Sequence, residues 1–97
     1  IFVEILKDVQ LGVPPLTEGM SREMISRLRG KAILEGARGE AASDVSAVVN
    51  VLGCFSQLCL DLRDEVAEID INPLLVFEDG NGACVVDCLI VPASRDA

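Results

Sequence analysis

The sequence predicts an α+β fold in which helices pack on one face of a small, mainly antiparallel sheet. Three observations carry that expectation. Apolar residues alternate with period two near the start and in two runs near the end, whereas two segments between them carry apolar residues at helical spacing. Between the last two runs lies Glu78-Asp79-Gly80-Asn81-Gly82, which holds both Asp-Gly and Asn-Gly, strong short-range hairpin signals. The order reads β-α-α-β-β.

Each element has a local reason. In residues 1–11, Ile1, Val3, Ile5, Val9 and Leu11 fall on one face of a strand, and Phe2, Glu4, Leu6, Asp8 and Gln10 on the other. Gly12-Val13-Pro14-Pro15 stops it, because two prolines cannot continue a ladder. Thr17 is the expected N-cap of a helix to Arg29, with Met20, Met24, Ile25 and Leu28 as its stripe and Gly30 as its end. Leu34–Glu40 reads as a loop with two glycines bracketing Arg38. Ser43 or Asp44 caps a second helix through about Leu62, whose apolar positions spill beyond one face and predict good burial. Strands over 65–77 and 83–91 close the order, with a loose tail after them. No repeat or linker divides residues 1–97, so they form one unit. The run starts inside a strand pattern without an initiator Met, as expected for a fragment of a longer protein.

Composition bounds the function. Eight basic residues against 16 acidic ones give a net charge of -8, without the basic stripe that displaces counterions from nucleic acid. Anionic membrane surfaces are disfavoured for the same reason, and no apolar run approaches the roughly 20 residues that span a bilayer. Nucleotide remains compatible with this charge when a divalent cation lies between carboxylates and phosphates. The core is expected to be aliphatic, with three Phe and no Trp or Tyr. Cys54, Cys59, Cys84 and Cys88 miss the usual zinc spacings and read as small core thiols in a reducing, cytoplasmic setting.

The chemistry concentrates in the last hairpin. Alternation in Glu68-Ile69-Asp70-Ile71-Asn72-Pro73 puts Glu68, Asp70 and Asn72 on one face. Asp87 is the polar member of a face otherwise made of Ala83, Val85, Leu89 and Val91, and a carboxylate in apolar surroundings demands a cation or hydrogen-bond donors. If Asp79-Gly80 form the centre of the turn, Glu78 pairs with Asn81, and counting back along both strands sets Asn72 opposite Asp87. Their Cβ atoms would lie about 4.5–5.5 Å apart. An amide oxygen and a carboxylate so placed suit Mg2+, which keeps waters and takes its remaining ligands from phosphates. A turn centred on Asn81-Gly82 breaks this pairing. On spacing alone, a solvated acidic sheet face is the competing reading.

EIDINPLLVF, then a glycine-containing turn and ACVVDCLIV, resembles the end of the ATP-grasp domain in NDP-forming acyl-CoA synthetases and the succinyl-CoA synthetase β-chain. FVEILKDV followed by PPL, and LEGARG before the Asp44 helix, extend the resemblance to about Val91. The resemblance implies the C-terminal part of an ATP-grasp fold, with Asn72 and Asp87 as ligands of the magnesium of Mg-nucleotide (ATP or ADP). Asp70 stands where many ATP-grasp proteins have Glu, and is a further candidate ligand. It also implies a ligase reaction that interconverts acyl-CoA, ADP and phosphate with acid, CoA and ATP. The phosphohistidine and CoA-binding domains lie elsewhere in the protein or on a partner subunit. This chain has no His, so no catalytic residue of that step is expected in it, and the isolated fragment is expected to be inactive.

Lys7 reads either as a gatekeeper on an edge strand or as a phosphate contact. Arg38 reads either as a solvated loop residue or as a guanidinium fork for phosphate. Two other functional readings stay open: a synthetase-like sensor fused to a protein lysine acetyltransferase, and a non-catalytic acidic interaction module, for which a homo-oligomer is one outcome.

Overall fold

The computed structural model describes residues 8–94, except for the side chain of Arg38. The strand expected over 1–11 falls largely outside that range, and residues 8–11 within it are not strand. Asp8, placed on a strand face by the alternation, instead ties two loop amides. Its carboxylate accepts the N–H groups of Arg29 at 2.7 Å and Gly30 at 2.9 Å, the two residues just before a short helix at Lys31–Leu34.

Helix α1 is Glu18–Ser26, and Thr17 caps it as expected, its Oγ1 accepting the Met20 N–H at 3.1 Å. It ends three residues earlier than the pattern suggested, with Arg27 as C-cap. A short helix α2, Lys31–Leu34, and a 3-10 turn, Ala37–Gly39, replace the expected open loop. Gly36 joins them at φ 94°, and a Cβ there would stand 2.5 Å from the Glu40 carbonyl oxygen, so this bend requires glycine.

Helix α3 is Val45–Asp61, capped by Asp44, whose side chain accepts the Ala47 N–H at 3.0 Å. It packs on α1. The buried residues of the two helices are Ser21 and Ile25 of α1, four residues apart, and Val49 and Ser56 of α3, seven apart, each set on one helical face. A small Ser21 thus takes the place expected for Met20, which is 41% exposed. Ser56 also accepts the Leu16 N–H at 2.8 Å, tying the segment before α1 to the middle of α3.

The two long strands are each interrupted. β1 (Val66–Ile71) pairs antiparallel with β4 (Cys88–Pro92), and β2 (Leu74–Val76) with β3 (Ala83–Val85). Ala67 is an extra residue where the register shifts between Val66 and Glu68. The interruption comes at Asn72-Pro73, a cis bond, opposite Val86-Asp87. Pro73 has no N–H to donate, so the ladder cannot run through it. Asn72 N–H donates to the Asp87 carbonyl and Val86 N–H to the Pro73 carbonyl, both at 3.1 Å. A regular antiparallel ladder sets its bonded pairs two residues apart. Bonds at successive pairs mean that the ladder changes phase here while its register holds.

The packing is thinner than the composition suggested. The molecule extends 54 × 27 × 23 Å, and Ile25 and Val49 are its buried apolar residues among those described. Helix α3, expected to be well buried, leaves Leu58 41% exposed. The four cysteines are free thiols, with Cys54, Cys84 and Cys88 exposed and Cys59 half-buried, not core groups as expected. Both faces of β4 are open: Leu89 is 60% exposed and Ile90, its neighbour on the other face, 52%. α3 packs on β2, and a cleft of about 300 Å3 lined by Val48, Leu52, Phe55, Ile69 and Ile71 separates it from β1. Among the described residues no helix is long and apolar enough to cross a membrane.

Candidate functional site

The hairpin turn decides what faces what. Asn81 N–H donates to the Glu78 carbonyl at 2.8 Å, so Asp79 and Gly80 are its central residues, and Gly80 at φ 90° has the positive φ that this place demands. Pairing then runs through Val76↔Ala83 and Leu74↔Val85 to Ile71↔Cys88 and Asp70↔Leu89 without losing count. Asn72 and Asp87 are opposite each other, joined by the Asn72 N–H bond described above. Residues directly opposite in an antiparallel pair send their side chains to the same face.

Both side chains are exposed. This corrects the reason first given for Asp87: it is not a carboxylate in apolar surroundings, because the face it shares with Leu89 and Val91 is open. Its Oδ1 accepts the N–H of Cys88 at 2.9 Å. An ionised carboxylate has about four lone-pair sites, so one backbone donor leaves capacity for a cation. Among the described residues no three His, Cys, Asp or Glu side chains group closely enough to hold a metal. The donor set on offer is therefore one amide and one carboxylate at facing positions of the ribbon, both open to solvent. That suits a hard cation that brings water or phosphate oxygens with it, and does not suit a fully caged ion. Asp70 is exposed, two residues before Asn72 on the same strand, roughly 7 Å along it.

The other two candidates fall outside the description in whole or in part. Lys7 lies outside the described residues. Arg38 is the middle residue of the 3-10 turn, with its side chain outside the description.

Asp44 is the residue whose full role sequence reasoning missed. It was legible as a helix cap and nothing more. In the fold it is buried, and while Oδ1 caps α3, Oδ2 accepts the N–H groups of Gly82 at 2.9 Å and Gly80 at 3.1 Å. The backbone around it joins in. Asp44 N–H donates to the Phe77 carbonyl at 2.8 Å, Asp79 N–H to the Ala42 carbonyl at 2.9 Å, and Ser43 bridges Glu78. The hairpin tip is thereby clipped to the start of α3. No local signal announces a contact between residues so far apart in sequence.

The Gly82, Ala47 and Gly80 N–H groups, Gly82 foremost, hold the Asp44 carboxyl below its ordinary value of 3.8, against the opposing effect of burial. A carboxyl with a lowered folded pKa contributes stability that is fully present above its unfolded value and lost as pH falls through the folded one. Stability is therefore expected to drop on acidification below about pH 3.8, and Asp44→Asn should flatten that limb in urea melts taken from pH 5 to pH 2. Equal acid slopes in the two proteins would remove Asp44 from the explanation.

Residues 1–91 match the ATP-grasp domain family. The chain is 47% identical over 91 residues to the beta subunit of acetate–CoA ligase [ADP-forming] II of Pyrococcus furiosus, covering 94% of this chain and 39% of that subunit. It is 38% identical over 90 residues to 4-hydroxybutyrate–CoA ligase [ADP-forming] of Nitrosopumilus maritimus, covering 93% of this chain and 13% of that protein. It also superposes, with a TM-score of 0.89 and 30% identity, on the dinucleotide-forming acetyl-coenzyme A synthetase 1 of Ca. Korarchaeum cryptofilum, over 96% of this chain and 42% of that one. That protein was solved with coenzyme A and Mg-AMPPCP, its phosphohistidine segment pointing towards the nucleotide-binding site. The chain spans well under half the length of each. With the match covering nearly all of its residues, the chain belongs to the ATP-grasp domain family.

Proposed function

We propose that this chain is the C-terminal part of an ATP-grasp domain and holds the magnesium of Mg-nucleotide in an ADP-forming acyl-CoA ligase. The observation that carries the reading is the Asn72–Asp87 pair, set opposite each other where the ladder changes phase. Two supports come from the relatives. They share this segment although they act on acetate in one case and 4-hydroxybutyrate in the other, so its work belongs to the nucleotide step common to both and not to acyl choice. Their being ligases also favours this reading over an acetyltransferase sensor or a bare interaction module.

In the proposed site Asn72 and Asp87 each give one oxygen, and Asp70 is the third candidate donor. Magnesium held by these residues would supply the positive charge that offsets phosphate charge in phosphoryl transfer. Asp87 supplies the negative charge that draws the cation, while Asn72 adds an oxygen without further repelling the phosphates. The open face leaves room for nucleotide. Lys7 and Arg38 are proposed as phosphate contacts. The phosphohistidine and the CoA-binding domain are proposed to lie outside this chain, which has no His. The adenine pocket is proposed to lie in the rest of the ATP-grasp domain, so the isolated fragment should be inactive.

Binding of Mn2+ to the ADP complex of the full-length enzyme, followed by electron paramagnetic resonance, tests this reading. Asn72→Ala and Asp87→Ala should each weaken Mn2+ about 10-fold or more, the loss of roughly one charge-assisted contact. Unchanged Mn2+ affinity in both variants would refute the metal assignment.

A further inference from the structure

The sequence of the turn permits more than one hairpin. Asp79-Gly80 and Asn81-Gly82 are both strong two-residue turn signals, placed back to back. Centring the turn on the second would slide one strand four residues along the other. Asn72 would then lie opposite Val91, and Asp87 opposite Val76. The ribbon itself does little to forbid this slide. A slide of four residues keeps every side chain on its own face, so the alternation of the strands does not forbid it, and Leu75, Val85, Val86, Leu89 and Ile90 are all more than 40% exposed. Something else must choose the turn.

We infer that Asp44 is a positioning residue for the Asn72–Asp87 pair, selecting the turn that brings the two side chains together. Its Oδ2 accepts both Gly80 and Gly82 N–H, at 3.1 and 2.9 Å. Two amides on either side of Asn81 can converge on one oxygen only in the conformation in which Asp79-Gly80 make the bend. A turn at Asn81-Gly82 would move both donors away and leave a buried carboxylate short of partners, which is costly. Because Oδ1 is held by the α3 cap, the carboxylate is a fixed reference and the tip is set against it. Six residue pairs further along, the choice becomes the presence or absence of the metal pair. The effect of Asp44 on metal, though not on register, rests on the function proposed above.

Two readouts in the full-length enzyme separate these parts. The first follows register without metal. In Leu75→Cys, the new thiol lies opposite Cys84 in the observed register and opposite Cys88 after the four-residue slide, and both natural thiols are free. Peptide mapping after mild oxidation should give the 75–84 link alone in that variant. Adding Asp44→Ser, which keeps a hydroxyl to cap α3 but is too short to reach the turn, should give a 75–88 link as well. An exclusive 75–84 link in both backgrounds would overturn the inference. The second readout is Mn2+ affinity of the ADP complex. Asp44→Ser should weaken it at least 10-fold alone and less than two-fold further when added to Asn72→Ala, because the pair is already lost there. The same loss in both backgrounds would reduce Asp44 to a general stabiliser. If Asp44→Ser fails to fold, Asp44→Asn, which keeps the length but only one acceptor oxygen, is measured in the same way with the same outcomes expected. Should Asn72→Ala itself leave Mn2+ affinity unchanged, the metal reading fails while the thiol map still judges the register.

Discussion

Asp87→Ala in the full-length enzyme is expected to lower kcat/KM for nucleotide-dependent phosphoryl transfer by about 10²–10³-fold, or roughly 2.7–4 kcal/mol of transition-state stabilisation. Removing the carboxylate would take away the anionic half of the proposed two-oxygen site, and with it the charge proposed to anchor the cation. The fold should survive. Asp87 is exposed, and its carboxylate bonds its own neighbour, the Cys88 N–H, rather than a distant element. Substitutions at such positions usually stay within about 0.5 kcal/mol. Asn72→Ala should be milder than Asp87→Ala, since it deletes a neutral oxygen. Raising Mg2+ should recover part of the Asn72→Ala deficit. Activity at varied Mg2+, with far-UV circular dichroism as the control for folding, checks these points. Less than a three-fold loss in Asp87→Ala with the fold intact would mean that the ion is held elsewhere.

The largest effect on stability is expected at a residue far from the pair in sequence. Gly36→Ala should destabilise the domain by about 2–3 kcal/mol, lowering its melting midpoint by roughly 5–10 °C for a domain of 150–250 residues. Two costs add. The backbone there has φ 94°, a conformation that L side chains rarely adopt, and the new Cβ would lie 2.5 Å from Glu40 O and 3.0 Å from Ala42 N. Both obstacles are backbone atoms and cannot swing aside. Gly39 separates the two costs, because its φ is 78° but nothing lies within 4 Å of its Cβ position. Gly39→Ala should therefore lose only about 1 kcal/mol. Equal losses at the two sites, read by calorimetry, would show that the close approach at Gly36 carries no energy of its own. The bend matters beyond its own stability. It leads into Ala42, Ser43 and Asp44, the three residues that clip the hairpin tip.

Much of this architecture is legible in local chemistry. Thr17 and Asp44 as N-caps, and the Asp79-Gly80 bend, depend on groups within four residues of one another, so residue types in order suffice to find them. The opposition of Asn72 and Asp87 follows from that bend by counting, and both lie in segments that resemble the ATP-grasp family. Some local inferences failed for local reasons as well. Continuous strands over 65–77 and 83–91 ignored the N–H that Pro73 lacks, and the stripe assigned to α1 counted the large Met20 where the close helix contact needed the small Ser21.

What the order of residues could not settle was anything that depends on what lies across the fold. Whether an apolar strand face is core or surface depends on what covers it, and here Leu89, Ile90 and three of the four cysteines are exposed where alternation and composition suggested burial. Which of two adjacent turns forms depends on a carboxylate 36 residues from Gly80 and 38 from Gly82. The sequence by itself determined the helix caps, the list of admissible turns and the candidate ligands, because each is written in side-chain-to-backbone bonds of short reach. Only the tertiary structure decided among those turns and set the ladder's change of phase beside the candidate pair, because a hydrogen bond between distant segments exists only once folding has brought its donor and acceptor together.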